Sequence, residues 1–477
     1  MKKEIFKSLL SIDSSLIDAV SMIEKNSSGF CVIADNKKLI GILTDGDIRR
    51  ALLKGFKQES KCIDFCNKKP TTVTQNTNQS ELITLLTQFK FLPLIDEEGF
   101  ILDVINNIED IFIPICEPNL CGNEFKYLSD AFTSGWISSQ GKYINYFEQS
   151  FSKFIKSNFT LSTSNGTTAL HLILTALEVG VGDEVIVPNL TFAASINSVI
   201  HTGAKPVLVD INPLTYGLEL ETIKKNITNK TKCIMIVHLY GYPVDIDKVL
   251  DFAKANNLLV IEDCAEALGS YVRDDHVGIK SDASAFSFFA NKLISTGEGG
   301  MAIFKEKKIF DKAKVLRDHG MNKDKKYWHK YIGFNYRMTN MQASIGYAQM
   351  ENIYTFLDTK IKNANLYKKY LYPLKDLIIF PQDPLYGKNS YWLFSIYLKH
   401  NNDIDKIMKS LREYGIDSRR FFTPLNQMDI YFEYAMNNNY KNSLDLYNNS
   451  LCLPSSTNLT ESQISYISMK LKDIIKP

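Results

Sequence analysis

The sequence predicts an α/β protein in which a mostly parallel sheet carries helices on both faces. From residue 118 onward, strand-like apolar runs alternate with helical segments, and these runs end in polar or glycine-rich turns. Beyond residue 355 the alternation changes and predicts a smaller α+β domain. An internal repeat before residue 112 predicts a separate small α/β unit at the N-terminus.

This N-terminal repeat has two copies. In the first, residues 15–23 have the apolar spacing of a helix, and GFCVIADNKKLIGILTDGDIRRALL (29–53) is typical of two strands and a second helix. In the second, residues 81–89 are the helix and FLPLIDEEGFILDVI (91–105) the strand pair. The copies lie about 60 residues apart, a period typical of a duplicated module, which we assign to residues 1–112.

The duplicated unit resembles a pair of CBS domains. The resemblance implies a site for an adenine or guanine nucleotide, in which Thr44 and Asp47 of LTDGDIRR would hold the ribose. The alternative is that both residues cap the helix that starts near Ile48, since Thr and Asp are favoured there. The second copy has LDVINNIED where the motif would recur, so we expect one site at most.

The large sheet is predicted within residues 117–355. Its apolar runs and helical segments are HLILTALEVG, EVIVPNLTF, KPVLVDI, CIMIVHLYG, LLVIEDCAEALG and ASAFSFFA. Because the carboxyl ends of parallel strands meet at one edge of a sheet, we expect the functional site at that edge. After it, YWLFSIYLK and DKIMKSLREYGI predict a strand and a helix of the smaller domain, residues 356–477.

Composition narrows the class of protein. Lys and Arg total 55 against 53 Asp and Glu, so the net charge of +2 favours neither nucleic acid nor an anionic membrane as partner. No apolar run approaches the roughly 20 residues of a membrane-spanning helix, and the first residues lack the apolar core of a secretory signal. The eight cysteines form no CxxC pair and do not cluster with histidine. We therefore expect a cytoplasmic protein without a bound metal.

Three polar features at predicted strand ends point to one cofactor. Residues 164–167, which include Gly166 and Thr167, precede a predicted helix whose free amides suit a phosphate, although an ordinary capped helix is the alternative. Asp263 ends a buried strand, where a carboxylate is costly unless it is paired or caps the next helix. Lys292 marks either the solvent end of a strand or a nucleophilic amine held inside a site. Pyridoxal phosphate needs a phosphate cradle, an acid and a lysine, and the chain offers all three.

From residue 117 to the C-terminus, the sequence resembles the DegT/StrS family of nucleotide-sugar aminotransferases, whose fold is the type I fold of pyridoxal-phosphate-dependent aminotransferases. The matching stretches are SGWISSQGKYINYFEQSF, SNGTTALHL, DEVIVPNLTFAAS, GAKPVLVDI, IEDCAEALGS, FSFFANKLISTGEGGM, YWHKYIGFNYRMTNMQASIGYAQ and GIDSRRFF. Within the family, the GDP-perosamine synthases are the nearest match. Two features depart from the family: Arg420 stands where relatives often have proline, and a CBS pair is not usual.

The resemblance implies a role for each matching residue. Lys292 would bind the cofactor aldehyde and shuttle protons, and Asp263 would pair with the ring nitrogen. Phe192 and Ala265 would cover the two faces of the ring, and Glu266 would lie near the ring hydroxyl and the sugar. The phosphate would be held by Gly166, Thr167, Ser287 and, from a partner subunit, Asn335. The candidate substrate contacts are Trp136, Ser138 and Arg337.

The implied activity is that of a transaminase (EC 2.6.1 class). An amino group would pass from L-glutamate, by way of pyridoxal 5′-phosphate, to the 4-keto group of a nucleotide-linked 4-keto-6-deoxy sugar. By resemblance the acceptor is GDP-4-keto-6-deoxy-D-mannose and the product is GDP-perosamine, for lipopolysaccharide O-antigen and other surface polysaccharide biosynthesis. The resemblance also implies a homodimer with shared active sites, or a higher homo-oligomer.

Several alternatives stay open at this point. Sugar dehydratases on the same scaffold have histidine in place of the lysine, and Lys292 argues against them. A non-catalytic nucleotide sensor would not need the cofactor residues, which are intact here. An enzyme of amino-acid metabolism would lack the sugar-family motif SGWISSQGKY, which this chain has. Interface packing for Trp136 and a structural ion pair for Arg337 are alternatives to substrate contact.

Overall fold

The computed structural model describes residues 8–26, 29–74, 76–77, 79–105, 112–322, 324–325, 327–381, 383–399, 403–435 and 439–475. The chain divides into two compact units, residues 1–113 with 409–417 and residues 114–408 with 418–477. The predicted boundaries of three domains (1–112, 117–355 and 356–477) stay predictions. Across the described residues, no helix is both long enough and apolar enough to cross a membrane.

In the first unit, one pattern of elements occurs twice. Each copy has a short strand, a helix and a two-stranded hairpin, and the short strand pairs in parallel with the first strand of the hairpin. The elements are β1 (Leu9–Ser11), α1 (Leu16–Asn26), β2 (Phe30–Asp35), β3 (Lys38–Thr44) and α2 (Asp45–Leu53) in the first copy, and β4 (Val73–Thr74), α3 (Gln79–Gln88), β5 (Leu92–Ile95) and β6 (Ile101–Ile105) in the second.

Alternation along β2 explains how this unit packs. Cys31 and Ile33 point to one face, where they join the buried residues of α1 and α2. Phe30 and Val32 point to the opposite face and pack with Ile101 of β6. The strand is therefore buried on both faces, which is why it is apolar at successive positions.

The remaining strands are β7 (Thr160–Thr163), β8 (Glu184–Pro188), β9 (Lys205–Val209), β10 (Thr231–Val237), β11 (Leu259–Asp263), β12 (Tyr271–Val272), β13 (Asp275–His276), β14 (Ala283–Ser287), β15 (Gly300–Phe304), β16 (Ile378–Ile379), β17 (Gly387–Lys388), β18 (Phe394–Leu398), β19 (Arg419–Arg420) and β20 (Ser450–Leu453). The remaining helices are α4 (Glu124–Thr133), α5 (Lys142–Ile155), α6 (Gly166–Ala176), α7 (Ala193–His201), α8 (Leu220–Asn226), α9 (Asp247–Ala255), α10 (Lys307–Arg317), α11 (Asn340–Glu351), α12 (Ile353–Leu371), α13 (Ile404–Glu413), α14 (Lys441–Asn449) and α15 (Glu461–Ile475).

In the described part of the chain, seven strands form one sheet in the order β7-β15-β14-β11-β10-β8-β9. The neighbours from β14 to β9 are parallel, whereas β15 runs antiparallel between β14 and β7. A second, antiparallel sheet has the order β16-β18-β20-β19. The predicted α/β class with a mostly parallel sheet is confirmed.

Helices cover both faces of the large sheet because successive side chains of a strand point in opposite directions. In β8, Val185 and Val187 pack with residues of α6 and α7. Ile186, between them, packs with residues of α8 and α9 on the other face. The sheet is thus the middle layer of three, and successive residues of β8, Val185 to Val187, are apolar because each one meets a helix layer.

Strand register aligns the predicted site residues at one edge. Val237, Asp263 and Ala285 lie side by side on β10, β11 and β14, so β10 and β11 end together and β14 continues to Ser287. The apolar run before Lys292 does not continue as a strand to residue 290. Instead β14 ends at Ser287, and the Thr296 amide donates to the carbonyl of Phe288, which closes the residues between them into a loop that carries Lys292.

Candidate active site

Asp263 is a buried carboxylate at the end of β11. Its Oδ2 accepts a 2.7 Å hydrogen bond from the Ser195 hydroxyl, and its Oδ1 accepts one of 3.1 Å from the Ala265 amide. Burial raises the pKa of Asp263, and the bond from Ser195 opposes that rise. Both hydrogen-bond donors are neutral, so the carboxylate is suited to a cationic partner.

Ser195 is a site residue that the sequence motifs did not single out. It lies in the first turn of α7, is fully buried, and its hydroxyl is 2.9 Å from that of Thr191 as well as bonded to Asp263. The available signal is the stretch NLTFAAS, which follows β8 and places a serine in the first turn of the next helix.

Glu266 lies three residues after Asp263 and is also buried. Its Oε2 accepts a 2.8 Å hydrogen bond from the amide of Tyr240, whose φ of 55° is in the left-handed region. Burial raises the pKa of Glu266 to about 7, while the charge of Lys292 opposes the rise. Two carboxyl groups therefore lie near one lysine.

The Lys292 amine is enclosed by a carboxylate and an aromatic face. Its Nζ lies 3.7 Å from Oε1 of Glu266 and 3.6 Å from the centroid of the Trp392 ring. The side chain is 12% exposed, and burial lowers the pKa of Lys292 while the charges of Glu266 and Asp263 raise it. The amine is held inside the protein, not at a solvent-exposed strand end.

Gly166 opens α6 beside Ser287. Asn165 caps this helix, since its side chain accepts a 2.9 Å bond from the Thr168 amide and its own amide donates to the Thr168 hydroxyl at 3.2 Å. A Cβ on Gly166 would lie 2.9 Å from the Cβ of Ser287, so the close approach requires glycine. The first-turn amides of Gly166 and Thr167 and the Ser287 hydroxyl form a cradle suited to phosphate.

The two residues predicted to cover the cofactor ring have accessible surface. Phe192 immediately precedes α7 and is 58% exposed, and its ring contacts that of Phe422 at 5.6 Å between centroids. Ala265 is half-buried and follows Asp263 by two residues. Their contacts with the cofactor stay predictions.

Hydrogen bonds from Asn340 hold the main chain at Trp136 and Ser138, the predicted substrate contacts. Asn340, the first residue of α11, donates its side-chain amide to the Trp136 carbonyl at 2.7 Å and its main-chain amide to the Ser138 carbonyl at 2.6 Å. Both side chains are exposed. This leaves the indole and the hydroxyl available for a ligand or for a second subunit.

Arg337 and Asn335 contact each other. The Asn335 side-chain oxygen accepts a 3.0 Å hydrogen bond from Arg337, which also forms a 2.9 Å ion pair with Asp318. The structure thus shows the ion pair that was the alternative for Arg337. The roles of Arg337 toward substrate and of Asn335 toward a partner subunit stay predictions.

Three potential metal ligands cluster beside this strand edge. His238, Glu262 and Cys264 are buried with their ligand atoms within 4.8 Å of one another. The Val244 amide donates to Nδ1 of His238 at 3.0 Å, so the ring proton lies on Nε2, which is 2.8 Å from Glu262. A protonated nitrogen cannot bind a metal, and we interpret the contact as a buried histidine–glutamate hydrogen bond.

In the first unit, Thr44 and Asp47 cap α2. The Thr44 amide and hydroxyl donate to Oδ2 of Asp47 at 2.9 and 2.7 Å, and Arg50 forms a 2.6 Å ion pair with the same carboxylate. Partial burial raises the pKa of Asp47, but these bonds outweigh it and lower the pKa. The capping alternative is therefore present in the structure, and nucleotide contact stays a prediction.

Arg420 explains one departure from the family pattern. It forms a 3.0 Å ion pair with Asp405 of α13, and its guanidinium lies 4.8 Å from the centroid of the Tyr447 ring on α14. Proline at this position could make neither contact. The arginine therefore ties β19 to two neighbouring helices.

The residues present fit pyridoxal phosphate. The buried carboxylate of Asp263 could pair with the cationic ring nitrogen, and the amine of Lys292 lies near enough to bind the aldehyde. The start of α6, where Gly166 leaves no room for a Cβ, could hold the phosphate. The buried Asp263, Lys292 and Glu266 lie at or just beyond the carboxyl edge of one sheet. The sequence features converge as a cofactor site would require.

Comparison with known proteins agrees with this fit. The model of the DegT/DnrJ/EryC1/StrS aminotransferase family matches residues 118–472, and that of the CBS domain matches residues 1–54. GDP-perosamine synthase of Escherichia coli O157:H7 is 40% identical over 356 residues, which cover 75% of this chain and 96% of that protein.

Two solved structures have the same fold. Spr1654 of Streptococcus pneumoniae in its PLP form is 28% identical, with a TM-score of 0.71 over 76% of this chain and 98% of that one. Helicobacter pylori PseC, an aminotransferase involved in the biosynthesis of pseudoaminic acid, is 26% identical, with a TM-score of 0.72 over 76% and 99%. The chain therefore belongs to the DegT/DnrJ/EryC1/StrS aminotransferase family, as a pyridoxal-phosphate-dependent sugar aminotransferase that carries an N-terminal CBS domain.

Proposed function

We propose that this protein transfers the amino group of L-glutamate to the 4-keto group of a nucleotide-linked 4-keto-6-deoxy sugar. The favoured acceptor is GDP-4-keto-6-deoxy-D-mannose, which would yield GDP-perosamine for a surface polysaccharide. The observation that carries the proposal is the enclosed Lys292 amine, 3.7 Å from Glu266 and close enough to Asp263 for its charge to act on the amine.

Asp263 and the α6 start bind and orient the cofactor in this proposal. Pyridoxal phosphate, when bound, supplies an aldehyde that takes up amines and a ring that stabilises negative charge on the adjacent carbon. Asp263 keeps the ring nitrogen protonated, and Ser195 keeps that carboxylate ionised and oriented. Gly166, Thr167 and Ser287 hold the phosphate through the cradle.

Lys292 moves the proton. With the cofactor bound, it would accept a proton from the α-carbon of glutamate and would return that proton at C4′, and it would act in the reverse order with the sugar. A group that is base and acid in turn works best when its pKa is near the working pH. Burial lowers the pKa of Lys292 toward that range, which supports this role.

The proposed identity of the sugar rests on sequence similarity to a GDP-perosamine synthase and on the exposed residues around the candidate site. The 40% identity to a GDP-perosamine synthase supports a GDP-linked acceptor. We propose that the exposed side chains of Trp136 and Ser138, together with Arg337, contact it, and that Asn335 reaches the phosphate of a partner subunit in a homodimer. In the first unit, we propose that Thr44 and Asp47 contact a nucleotide ribose.

The test is a substrate panel. Purified protein is incubated with pyridoxal phosphate, glutamate and GDP-, UDP- or dTDP-linked 4-keto-6-deoxy sugars, and the products are identified by mass spectrometry. We expect an amino sugar from the GDP-linked substrate and 2-oxoglutarate in equal amount. Loss of the 3-hydroxyl without amination would support the dehydratase instead, and amination of a UDP or dTDP sugar alone would change the acceptor.

A further inference from the structure

Trp392 encloses the Lys292 amine, although no sequence motif marks it. The Nζ of Lys292 lies 3.6 Å from the centroid of the Trp392 ring, and the tryptophan is only 5% exposed. The Glu266 carboxylate is 3.7 Å from the same amine. An aromatic face and a carboxylate are both groups that attract an ammonium ion.

The indole is fixed on several sides. Its Nε1 donates a 2.7 Å hydrogen bond to the carbonyl of Asn291, and the ring of Tyr240 lies nearly parallel to it at 6.1 Å between centroids. Because Asn291 directly precedes Lys292, this bond ties the ring to the backbone that carries the amine. The ring therefore keeps its position relative to the main chain from which the Lys292 side chain extends.

A second buried lysine anchors the backbone of Trp392. The Lys360 amine donates to the Trp392 carbonyl at 2.9 Å and to the carbonyl of Ser455, and Lys360 is 2% exposed. A buried amine satisfied by carbonyls is costly to displace. The protein thus holds Trp392 at its main chain and at its side chain.

We propose that Trp392 is a positioning residue whose indole face, together with the Glu266 carboxylate, holds the Lys292 amine in the intervals when that amine is free of the cofactor and carries a proton. The inference rests on the proposed function, in which Lys292 is the cofactor-binding lysine. During each transfer this flexible side chain is released and has to stay within reach of the reacting carbon, and a fixed holding site limits where it goes.

The sign of the effect follows from the groups that face Lys292. The charges of Glu266 and Asp263 favour the ammonium form, and burial, the largest effect, disfavours it. The Trp392 face adds to the first set, so its removal should lower the pKa of Lys292, by about one pH unit for a desolvated cation–π contact. If removal of the Trp392 ring instead left a cavity that admitted water, the pKa of Lys292 would rise, because the amine would be less buried.

The experiment measures this pKa directly in the full-length chain after its cofactor is removed with hydroxylamine. The protein is labelled with a trace of acetic anhydride over a pH series, and the acetylated fraction of Lys292 is quantified by mass spectrometry. Trp392→Met removes the aromatic face and Trp392→Phe keeps one. Tyr372→Leu is the matched control, since Tyr372 is exposed and the surface amine of Lys375 lies 5.0 Å from the centroid of its ring.

We expect the Lys292 midpoint to fall by about one pH unit in Trp392→Met and to stay near the wild-type value in Trp392→Phe and in the control. An unchanged or raised midpoint in Trp392→Met, or an equal fall in Trp392→Phe, would overturn the proposal. Circular dichroism verifies folding, and Trp392→Leu replaces a variant that does not fold. The labelling experiment contains no cofactor or substrate, so its outcome does not depend on the proposed function. Failure of the proposed function would appear in a separate experiment, in which borohydride fixes the cofactor to a lysine other than Lys292.

Discussion

Replacing Ser195 with alanine is expected to weaken the binding of pyridoxal phosphate through Asp263. The Ser195 hydroxyl donates a 2.7 Å hydrogen bond to this carboxylate, and both residues are buried. The bond favours the ionised form, so its loss raises the pKa of Asp263 beyond the rise that burial already causes. A protonated Asp263 cannot form an ion pair with a protonated ring nitrogen, and the affinity falls.

The size of the loss follows from the kind of hydrogen bond. A bond to a charged group contributes about 1.5–3 kcal/mol and one between neutral groups about 0.5–1.5 kcal/mol. Ser195 therefore favours the carboxylate over the carboxylic acid by about 1–2 kcal/mol. Where Asp263 is largely protonated in the variant, the Kd should rise about 5- to 30-fold.

The loss should depend on pH with a defined sign. At high pH Asp263 is ionised in both proteins, so the ratio of variant to wild-type Kd approaches one. As the pH falls through the raised pKa of the variant, that ratio increases. The ratio is measured by adding pyridoxal phosphate to cofactor-free protein at several pH values and following the absorbance. Protonation of the cofactor itself affects both proteins equally and cancels in the ratio.

Ser198→Ala is the matched control. Ser198 lies on the same helix, is equally buried, and donates a 2.8 Å hydrogen bond to the Ser195 carbonyl and not to Asp263. We expect its cofactor affinity to remain near the wild-type value at every pH. Equal affinities for the two variants, or a loss in Ser195→Ala that grows with pH, would refute the reasoning.

Four further outcomes are expected. Borohydride should fix the cofactor to the peptide that contains Lys292, and Lys292→Ala should abolish transamination; fixation at another lysine would contradict the assignment. Mixing Lys292→Ala with Asn335→Ala subunits should restore part of the activity, because one hybrid site is intact, and verified heterodimers without activity would argue against shared sites. Gly166→Ala should weaken cofactor binding about tenfold or more by overpacking, since the added Cβ would lie 2.9 Å from the Ser287 side chain. In the control, Gly180→Ala, the atom nearest to the added Cβ is 3.5 Å away. Equal cofactor affinities of the two variants would contradict this explanation. Asp47→Ala should raise the Kd for an adenine or guanine nucleotide at least about tenfold by removing charge-assisted bonds, and calorimetry that detects no nucleotide binding to the wild type would end the idea.

Local pattern in the sequence was enough to predict the fold class and the edge of the sheet that carries the site. Apolar runs such as VIV (185–187) predict strands buried on both faces because successive positions of such a strand meet opposite helix layers. The polar residue Asp263 stands out because it ends a run of this kind. Local pattern also left alternatives that only coordinates resolve: Thr44 and Asp47 do cap α2, and Lys292 lies within a loop instead of ending a strand.

Only the tertiary structure decided which distant residues complete the site. Ser195 and Asp263 are 68 residues apart, and Trp392 bonds to a carbonyl 101 residues away. No period or motif records such pairs, because they depend on strand order: β10, β11 and β14 are neighbours although other elements separate them in sequence. The sequence by itself predicted Asp263 and Lys292 as the candidate residues for the chemistry. The packing of the sheet and its loops decided what holds Asp263 and Lys292 in place and how far burial shifts the pKa of each.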